Sequence, residues 1–199
     1  MTQVAIIDSG GANIASVRYA LERLGATGTL TTNADEIRAA ARVLLPGVGA
    51  AKDAMQRLRD ARLVDVIRGL EQPVLGICLG MQLLCDGSEE EDVECLGLVP
   101  GTAQKLQVAD HFPVPNMGWC PTRILTPHDL LAGVDDGSYF YYVHSYALPV
   151  TNNTLATANH SAEFSAIAGR DNFVAAQFHP ERSSANGARL LRNFLEMSA

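Results

Sequence analysis

The sequence predicts an α/β protein with a mixed, mostly parallel central sheet flanked by helices and an antiparallel portion in its second half. Two patterns lead to this prediction. In the first half, near-continuous apolar runs alternate with stretches of helical periodicity, which is typical of a parallel sheet covered on both faces. In the second half, short runs of strand-forming residues follow one another and are separated by turn residues, which indicates antiparallel strands.

Apolar periodicity defines the elements of the first half. The stretch from Asn13 to Leu24 places apolar residues three or four positions apart, as one face of a helix does, and Gly25 is typical of a helix C-terminus. The apolar run from Arg42 to Pro46 is a strand that a proline ends. The predicted strands are Val4–Asp8, Arg42–Pro46 and Pro73–Ile77. The predicted helices are Asn13–Leu24, Ala51–Leu58, Leu63–Leu70 and Leu79–Cys85.

The second half is predicted to be strand-rich and to end in a helix from about Ala185 to Met197. Clusters of Asn, Asp, Gly and Pro separate its short runs, as in turns between strands. The predicted strands are Gln104–Val108, Thr122–Leu125, Tyr139–Tyr142, Thr154–Ala158, Ser165–Ala168 and Phe173–Phe178. The acidic run Glu89–Asp92 favours a solvated loop.

Composition excludes several classes of protein. The 199 residues are 47% hydrophobic and 19% charged, too apolar for an intrinsically disordered chain and of a length that suits one domain. No apolar run approaches the roughly 18 residues of a membrane-spanning helix. The first residues lack the basic segment of a secretory signal, so we expect a cytoplasmic protein. The net charge of −7 argues against nucleic acid and anionic membranes as main partners.

One cysteine stands in a sequence pattern that favours reactivity. Gly76-Ile77-Cys78-Leu79-Gly80 has the glycine–nucleophile–glycine spacing of a nucleophile elbow and lies between an apolar strand and a helix. A lone cysteine is more often a buried structural thiol, but the elbow spacing favours a nucleophilic Cys78. Cys85, placed on the same helix, is expected to be structural, and Cys95 and Cys120 have no activating context. None of the four has zinc-site spacing, so we expect free thiols, no metal and no cofactor.

A nucleophilic thiol needs a base and a group that orients the base. The segment His179-Pro180-Glu181 offers both, because in an extended chain side chains two positions apart point to the same side. A carboxylate beside an imidazole fixes its tautomer and stabilises its cation. This motif is weak by itself and gains weight from the elbow.

The segment Pro46-Gly47-Val48-Gly49 follows a predicted parallel strand, at the end where α/β proteins place their sites. Backbone N–H groups of Val48 and Leu79 are candidates for an oxyanion hole. No phosphate-loop or dinucleotide-binding pattern is present. A plain strand-to-helix turn remains the alternative.

Together these three motifs resemble the class I, triad-type glutamine amidotransferases, and the resemblance covers nearly the whole chain. Within that family the chain is most similar to the glutaminase subunits of imidazole glycerol phosphate synthase. The stretches that carry this second resemblance are Pro46-Gly47-Val48-Gly49, Gly76–Leu84, Met117-Gly118-Trp119, Tyr142-Val143-His144-Ser145-Tyr146 and Gln177–Ser183.

The resemblance implies a single glutamine amidotransferase domain over residues 1–199 that hydrolyses glutamine to glutamate and ammonia. It implies delivery of ammonia to a (β/α)₈-barrel cyclase subunit, which makes imidazole glycerol phosphate and an aminoimidazole carboxamide ribotide. The triad would be Cys78, His179 and Glu181. The substrate residues implied are Gly49, Gln82, Glu90, Ser145 and Tyr146. The residues implied near the partner are Asn13, Met117, Trp119, Tyr141 and Arg182, with Trp119 in a loop.

Departures from the family pattern lie at Ser9, Ala12, Ala51, Asn116 and Cys120. None belongs to the triad, and all are in segments expected to face the partner or to line the ammonia exit. A paralogue that serves another synthase therefore stays open as an alternative. So does a stand-alone thiol amidohydrolase, whereas a non-catalytic module would not need all three triad residues.

Overall fold

The computed structural model describes residues 2–10 and 14–198. The strands are β1 Gln3–Ile7, β2 Thr27–Thr31, β3 Arg42–Gly47, β4 Val74–Cys78, β5 Cys85–Ser88, β6 Val93–Glu94, β7 Val99–Lys105, β8 Asn116–Ile124, β9 Ser138–His144, β10 Tyr146–Ala147, β11 Thr154–His160, β12 Ala162–Arg170 and β13 Phe173–Ala176. The helices are α1 Ile14–Arg23, α2 Ala34–Ala39, α3 Ala51–Asp60, α4 Val64–Arg68, α5 Leu79–Leu84 and α6 Ser184–Glu196. Short 3₁₀ turns span Asp129–Leu131 and Pro180–Arg182.

Within the described residues the main sheet has nine strands in the order β2-β1-β3-β4-β13-β12-β11-β8-β9. The pairings from β2 through β13 are parallel, and those from β13 to β9 are antiparallel. The predicted fold class is thereby confirmed. The strand β13 comes from the end of the chain and lies beside β4, so the C-terminal residues reach the strand that carries Cys78.

Both faces of the parallel half are covered, which explains its near-continuous apolar strands. Successive residues of β1 alternate between two cores: Ile6 packs with residues of α1 and α6, whereas Ile7 packs with residues of α3, α4 and α5. Neither side chain has measurable solvent exposure. The carboxyl ends of β3, β4 and β13 lie at one edge of this layered structure, since these strands are parallel neighbours.

Several sequence expectations about local structure were wrong. The helix predicted to include Cys85 ends at Leu84, and Cys85 begins β5. The strand expected at Gln104–Val108 is instead β7, which ends at Lys105. The elements β2 and α2, and a second sheet of order β10-β7-β5-β6, were not predicted. No helix in the described part of the chain is long and apolar enough to cross a membrane.

Candidate active site

Cys78 occupies a strained backbone position between β4 and α5. Its φ of 54° and ψ of −107° are unusual for a residue other than glycine. The flanking glycines allow this turn: a Cβ on Gly80 would lie 1.7 Å from the carbonyl oxygen of Leu45, and one on Gly76 would lie 2.8 Å from that of Gly80. The elbow spacing therefore reflects close backbone packing as well as turn geometry.

The imidazole of His179 is held by the carboxylate of Glu181, with 2.9 Å between Nδ1 and Oε1. The expected extended geometry was wrong, because Pro180 begins a 3₁₀ turn that carries Glu181. Both side chains are buried. Since Nδ1 faces a carboxylate, it carries the hydrogen, and Nε2 is the nitrogen that remains to accept a proton.

The environment favours the protonated form of His179. Burial acts to lower the pKa of His179, but the neighbouring Cys78 and Glu181 outweigh burial and raise it to about 10. Such a shift is expected where an imidazolium is stabilised by a carboxylate on one side and a thiolate on the other. The pair is therefore arranged to hold the proton that Cys78 releases.

The 3₁₀ turn is anchored by contacts that sequence analysis did not identify. Ser183 Oγ donates to the carbonyl of His179 at 2.7 Å and accepts from the backbone N–H of Tyr141 at 3.0 Å. The backbone N–H of His179 donates to the carbonyl of Tyr141 at 2.9 Å. A Cβ on Gly187 would lie 1.9 Å from the carbonyl oxygen of Pro180, so α6 approaches the turn closely. The glycine inside a helical run was the one signal in the sequence that pointed to this approach.

A cavity of about 370 Å³ lies in front of Cys78 and His179. The residues predicted for the oxyanion hole and for substrate binding all line it: Val48, Gly49, Leu79, Gln82, Glu90, Ser145 and Tyr146. Glu181 does not line this cavity and lies behind His179. The structure thus brings the predicted site together around one space, although the roles of these residues remain predictions.

Two polar side chains of this cavity are fixed by hydrogen bonds. Glu90 Oε2 accepts the backbone N–H of Ala51 at 3.1 Å, so Glu90 does not belong to a fully solvated loop. Gln82 is buried, and its Oε1 accepts from Ser88 Oγ at 3.4 Å. The amide nitrogen of Gln82 and the carboxylate of Glu90 give the cavity groups suited to the polar ends of an amino acid.

His144 lines the same cavity as a neutral ring. Burial is the main cause that lowers the pKa of His144 to about 4. Its Nδ1 is 2.9 Å from the carbonyl oxygen of Tyr146 and must donate, and its Nε2 is 3.1 Å from the amide nitrogen of Asn116 and must accept. Cys120 Sγ lies 3.6 Å from Asn116 Oδ1. The two departures at positions 116 and 120 thus contact each other and support the cavity wall.

A second, smaller cavity of about 20 Å³ lies on the other side of Val48 and His179. Such a volume accepts one molecule the size of water. Its lining is mostly apolar: Ile7, Ser9, Gly10, Ile14, Val17, Pro46, Gly47, Val48, Ile77, His179 and Glu181. Ser9, which departs from the family pattern, is buried there, and its Oγ donates to the carbonyl of Pro46 at 2.9 Å.

Three of the residues predicted near the partner lie on the neighbouring strands β8 and β9: Met117, Trp119 and the half-buried Tyr141. Met117 is 65% exposed and Trp119 is 50% exposed. The expectation that Trp119 lies in a loop was wrong, because it lies on β8 in register with Tyr141 of β9, with ring centroids 6.0 Å apart. Arg182 is exposed at the end of the 3₁₀ turn. Asn13 lies outside the described residues.

The other three cysteines lie in environments that disfavour the thiolate. All four are free thiols, as predicted. Burial raises the pKa of Cys85 and raises that of Cys95 to about 11. Burial also raises the pKa of Cys120. Within residues 2–10 and 14–198 there is no group of three or more His, Cys, Asp or Glu side chains arranged to hold a metal ion.

Comparison with known proteins gives a consistent result along the whole chain. The family model described as glutamine amidotransferase class-I matches residues 5–197. A protein of Xanthomonas axonopodis pv. citri named imidazole glycerol phosphate synthase subunit HisH is 52% identical over 198 residues, covering 100% of this chain and 99% of its own. The protein of the same name from Xylella fastidiosa strain Temecula1 is 52% identical over 199 residues, with both chains fully covered.

Solved structures support the same fold at low sequence identity. A crystal structure titled glutamine amidotransferase superposes with a TM-score of 0.75 at 17% identity and covers 97% of each chain. The structure of PurLQS from Thermotoga maritima superposes with a TM-score of 0.69 at 15% identity and covers 98% of each chain. These two similarities concern the fold alone.

Proposed function

The chain belongs to the class-I glutamine amidotransferase family, and we propose that it acts as the glutaminase subunit of an imidazole glycerol phosphate synthase in histidine biosynthesis. It hydrolyses L-glutamine to glutamate and ammonia. The observation that carries the proposal is that Cys78 and His179 line the 370 Å³ cavity, with Glu181 bound to His179 from behind, in a chain 52% identical to relatives of that name over its full length.

The triad geometry supports a thioester mechanism. Nε2 of His179 takes the proton of the Cys78 thiol, and the sulfur attacks the side-chain amide carbon of glutamine. The tetrahedral oxyanion is stabilised by the backbone N–H groups of Val48 and Leu79. The carbon–nitrogen bond then breaks, and His179 returns the proton to the leaving nitrogen, which departs as ammonia.

The second half of the reaction uses water as the nucleophile. His179 removes a proton from water, which attacks the thioester carbon, and a second oxyanion forms at the same N–H groups. Collapse of this intermediate releases glutamate, and the sulfur of Cys78 recovers its proton from His179. Glu181 keeps the imidazole in one tautomer and stabilises its cation throughout.

The cavity lining supports recognition of the amino-acid end of glutamine. Glu90 is the acidic side chain suited to the α-ammonium group, and Gln82 provides a buried amide. The backbone at Ser145 and Tyr146 is suited to the α-carboxylate. Gly49 has a φ of 96°, so its lack of a side chain allows the loop after β3 to turn at the cavity rim.

The product ammonia passes to a (β/α)₈-barrel cyclase subunit, which forms imidazole glycerol phosphate and an aminoimidazole carboxamide ribotide. The exposed Met117 and Trp119, with the half-buried Tyr141 beside Trp119, form the proposed docking surface, since exposed apolar residues that lie together mark interaction sites. The 20 Å³ cavity behind His179 is the proposed first part of the ammonia exit. A cytoplasmic location fits this biosynthetic role.

The experiment that tests the proposal is the Cys78→Ser variant, assayed together with the cyclase subunit. We expect loss of glutamine hydrolysis on the order of 10⁴-fold or more, whereas the assembled enzyme still makes product from added ammonium. The Cys95→Ser variant serves as a matched control, because that buried thiol lines neither cavity of the site. Near wild-type glutamine hydrolysis by Cys78→Ser would contradict the assignment of the nucleophile.

A further inference from the structure

Gln177 directly follows β13 and lies beside Cys78, the last residue of the neighbouring strand β4. The strands β13 and β4 are parallel and pair Ala176 with Ile77, so the next residues along the two chains are Gln177 and Cys78. Gln177 has no measurable solvent exposure. Its Nε2 lies 4.0 Å from the sulfur of Cys78, at the outer limit of an N–H···S hydrogen bond.

The side-chain amide of Gln177 is not part of a larger hydrogen-bond network among the described residues. Its Oε1 is buried and has no hydrogen-bond partner among the described residues. An unpartnered buried carbonyl oxygen destabilises a folded chain, and an apolar side chain of the same length avoids that cost. The polar contact that the side chain does make is the one from Nε2 to the sulfur.

Besides the imidazole of His179, the sulfur contacts two groups of opposite character. It lies 3.7 Å from the carbonyl oxygen of Val143, which can only accept a hydrogen bond and therefore suits the protonated thiol. The amide nitrogen of Gln177 can only donate and therefore suits the thiolate. When His179 removes the proton, the first contact loses its hydrogen and the second becomes charge-assisted.

We propose that Gln177 is a positioning residue of this site, whose amide N–H donates to the sulfur of Cys78 and stabilises the thiolate that attacks glutamine. This inference rests on the proposed function only in taking Cys78 as the nucleophile. The sulfur then has two donors, the imidazolium of His179 and the amide of Gln177, which follows β13. The thiolate is then held between a charged and a neutral donor.

The test is the pH dependence of alkylation of Cys78 by iodoacetamide, with the modified cysteine identified by mass mapping. The variants are Gln177→Met, which keeps the length and removes the donor, and Gln177→Glu, which replaces the donor by an acceptor. The matched control is Gln72→Met, because the Gln72 amide donates to the carbonyls of Ile37 and Ala40, remote from the cavity. The other titratable groups near the sulfur are unchanged in all variants: His144, His179, Glu90, Tyr146 and Glu181.

We expect the apparent pKa for alkylation of Cys78 to rise by about one unit in Gln177→Met, because one donor to the charged form is lost. The rise in Gln177→Glu should be larger. The value for Gln72→Met should equal that of the wild type even if the variant is less heat-stable. An unchanged value in both Gln177 variants overturns the inference.

A measurement on the wild-type chain decides the question if neither variant folds. The side-chain amide proton resonances of Gln177 should shift as Cys78 ionises, and they should not shift over the same pH range in Cys78→Ser. If the Gln177 resonances do not shift as Cys78 ionises, the inference is overturned. A failure of the proposed function gives a different result, because Cys78→Ser would then keep its glutaminase activity. That result does not depend on whether the Gln177 amide donates to the sulfur.

Discussion

Substitution of Gly187 by alanine tests how the terminal helix positions the triad. In α6 the added Cβ would lie 1.9 Å from the carbonyl oxygen of Pro180 and 2.8 Å from the Cβ of Ser183. Ordinary contact begins near 3.4 Å, so the helix and the 3₁₀ turn must separate by about 1.5 Å. The turn positions both His179 and Glu181, and their hydrogen bond of 2.9 Å would not survive a displacement of this size between the two side chains.

We expect the turnover number for glutamine hydrolysis to fall by roughly 100-fold or more, the scale of loss that a displacement of about 1 Å produces at a catalytic group. Overpacking should also lower the free energy of unfolding by about 1–3 kcal/mol. The assay is glutamate release by the assembled enzyme, with the turnover number and KM determined separately. Thermal unfolding of the same preparation gives the change in stability.

A control separates loss of activity from loss of fold. Leu190 lies in the same helix without solvent exposure, and Leu190→Ala should destabilise the chain by about 2–5 kcal/mol without a clash at Pro180. At a temperature where both variants are folded, Leu190→Ala should keep a turnover number near that of the wild type. If Gly187→Ala keeps full turnover, or if both variants lose it equally, the close approach of α6 does not position the triad.

Three further predictions concern the oxyanion loop, the docking surface and the imidazole. Val48→Pro removes one backbone donor and should cost roughly 3–4 kcal/mol of transition-state stabilisation, whereas Val48→Ala should turn over normally; equal rates would exclude this donor. Trp119→Ala should weaken association with the cyclase by about 2 kcal/mol or more in a titration while thermal unfolding stays unchanged, and an unaltered affinity would remove Trp119 from the interface. The pKa of His179 is raised from 6.5 to about 10, so its contribution to stability is fully present below pH 6.5 and is lost as pH rises through about 10. The difference in unfolding free energy between wild type and His179→Gln should therefore shrink from pH 6.5 upward, and a constant difference would contradict the shift.

The parallel half of the sheet was predictable because strands buried on both faces appear in the sequence as continuous apolar runs. Every residue of β4 is buried, so its sequence is an unbroken apolar run. The edge strand β2 gives no such signal, since three of its five residues are exposed. The helix α2 has six residues, too few to show a period, and its start is visible only in Asn33, which accepts from the N–H groups of Asp35 and Glu36.

The site was predictable where local sequence determines the chemistry, and not where distant segments meet. The pairing of His179 with Glu181 was inferred from an extended chain. In the structure Pro180 begins a 3₁₀ turn, and the two side chains are paired by that turn instead. The contacts of Ser183 and Gln177 depend on which strands become neighbours. No spacing within the sequence contains that information, since β4 and β13 are almost a hundred residues apart.

The strand pair that carries Trp119 is joined to His179 by hydrogen bonds at Tyr141. The ring of Tyr141 contacts Trp119 on the surface, whereas both backbone groups of Tyr141 bind the triad turn: its carbonyl accepts from His179, and its N–H donates to Ser183. Ser183 in turn donates to the carbonyl of His179 and closes the ring of contacts. A shift of the β9 backbone at Tyr141 must therefore move His179 or break one of three hydrogen bonds. The proposed docking surface is therefore joined to His179, the proposed general base, through Tyr141 and Ser183.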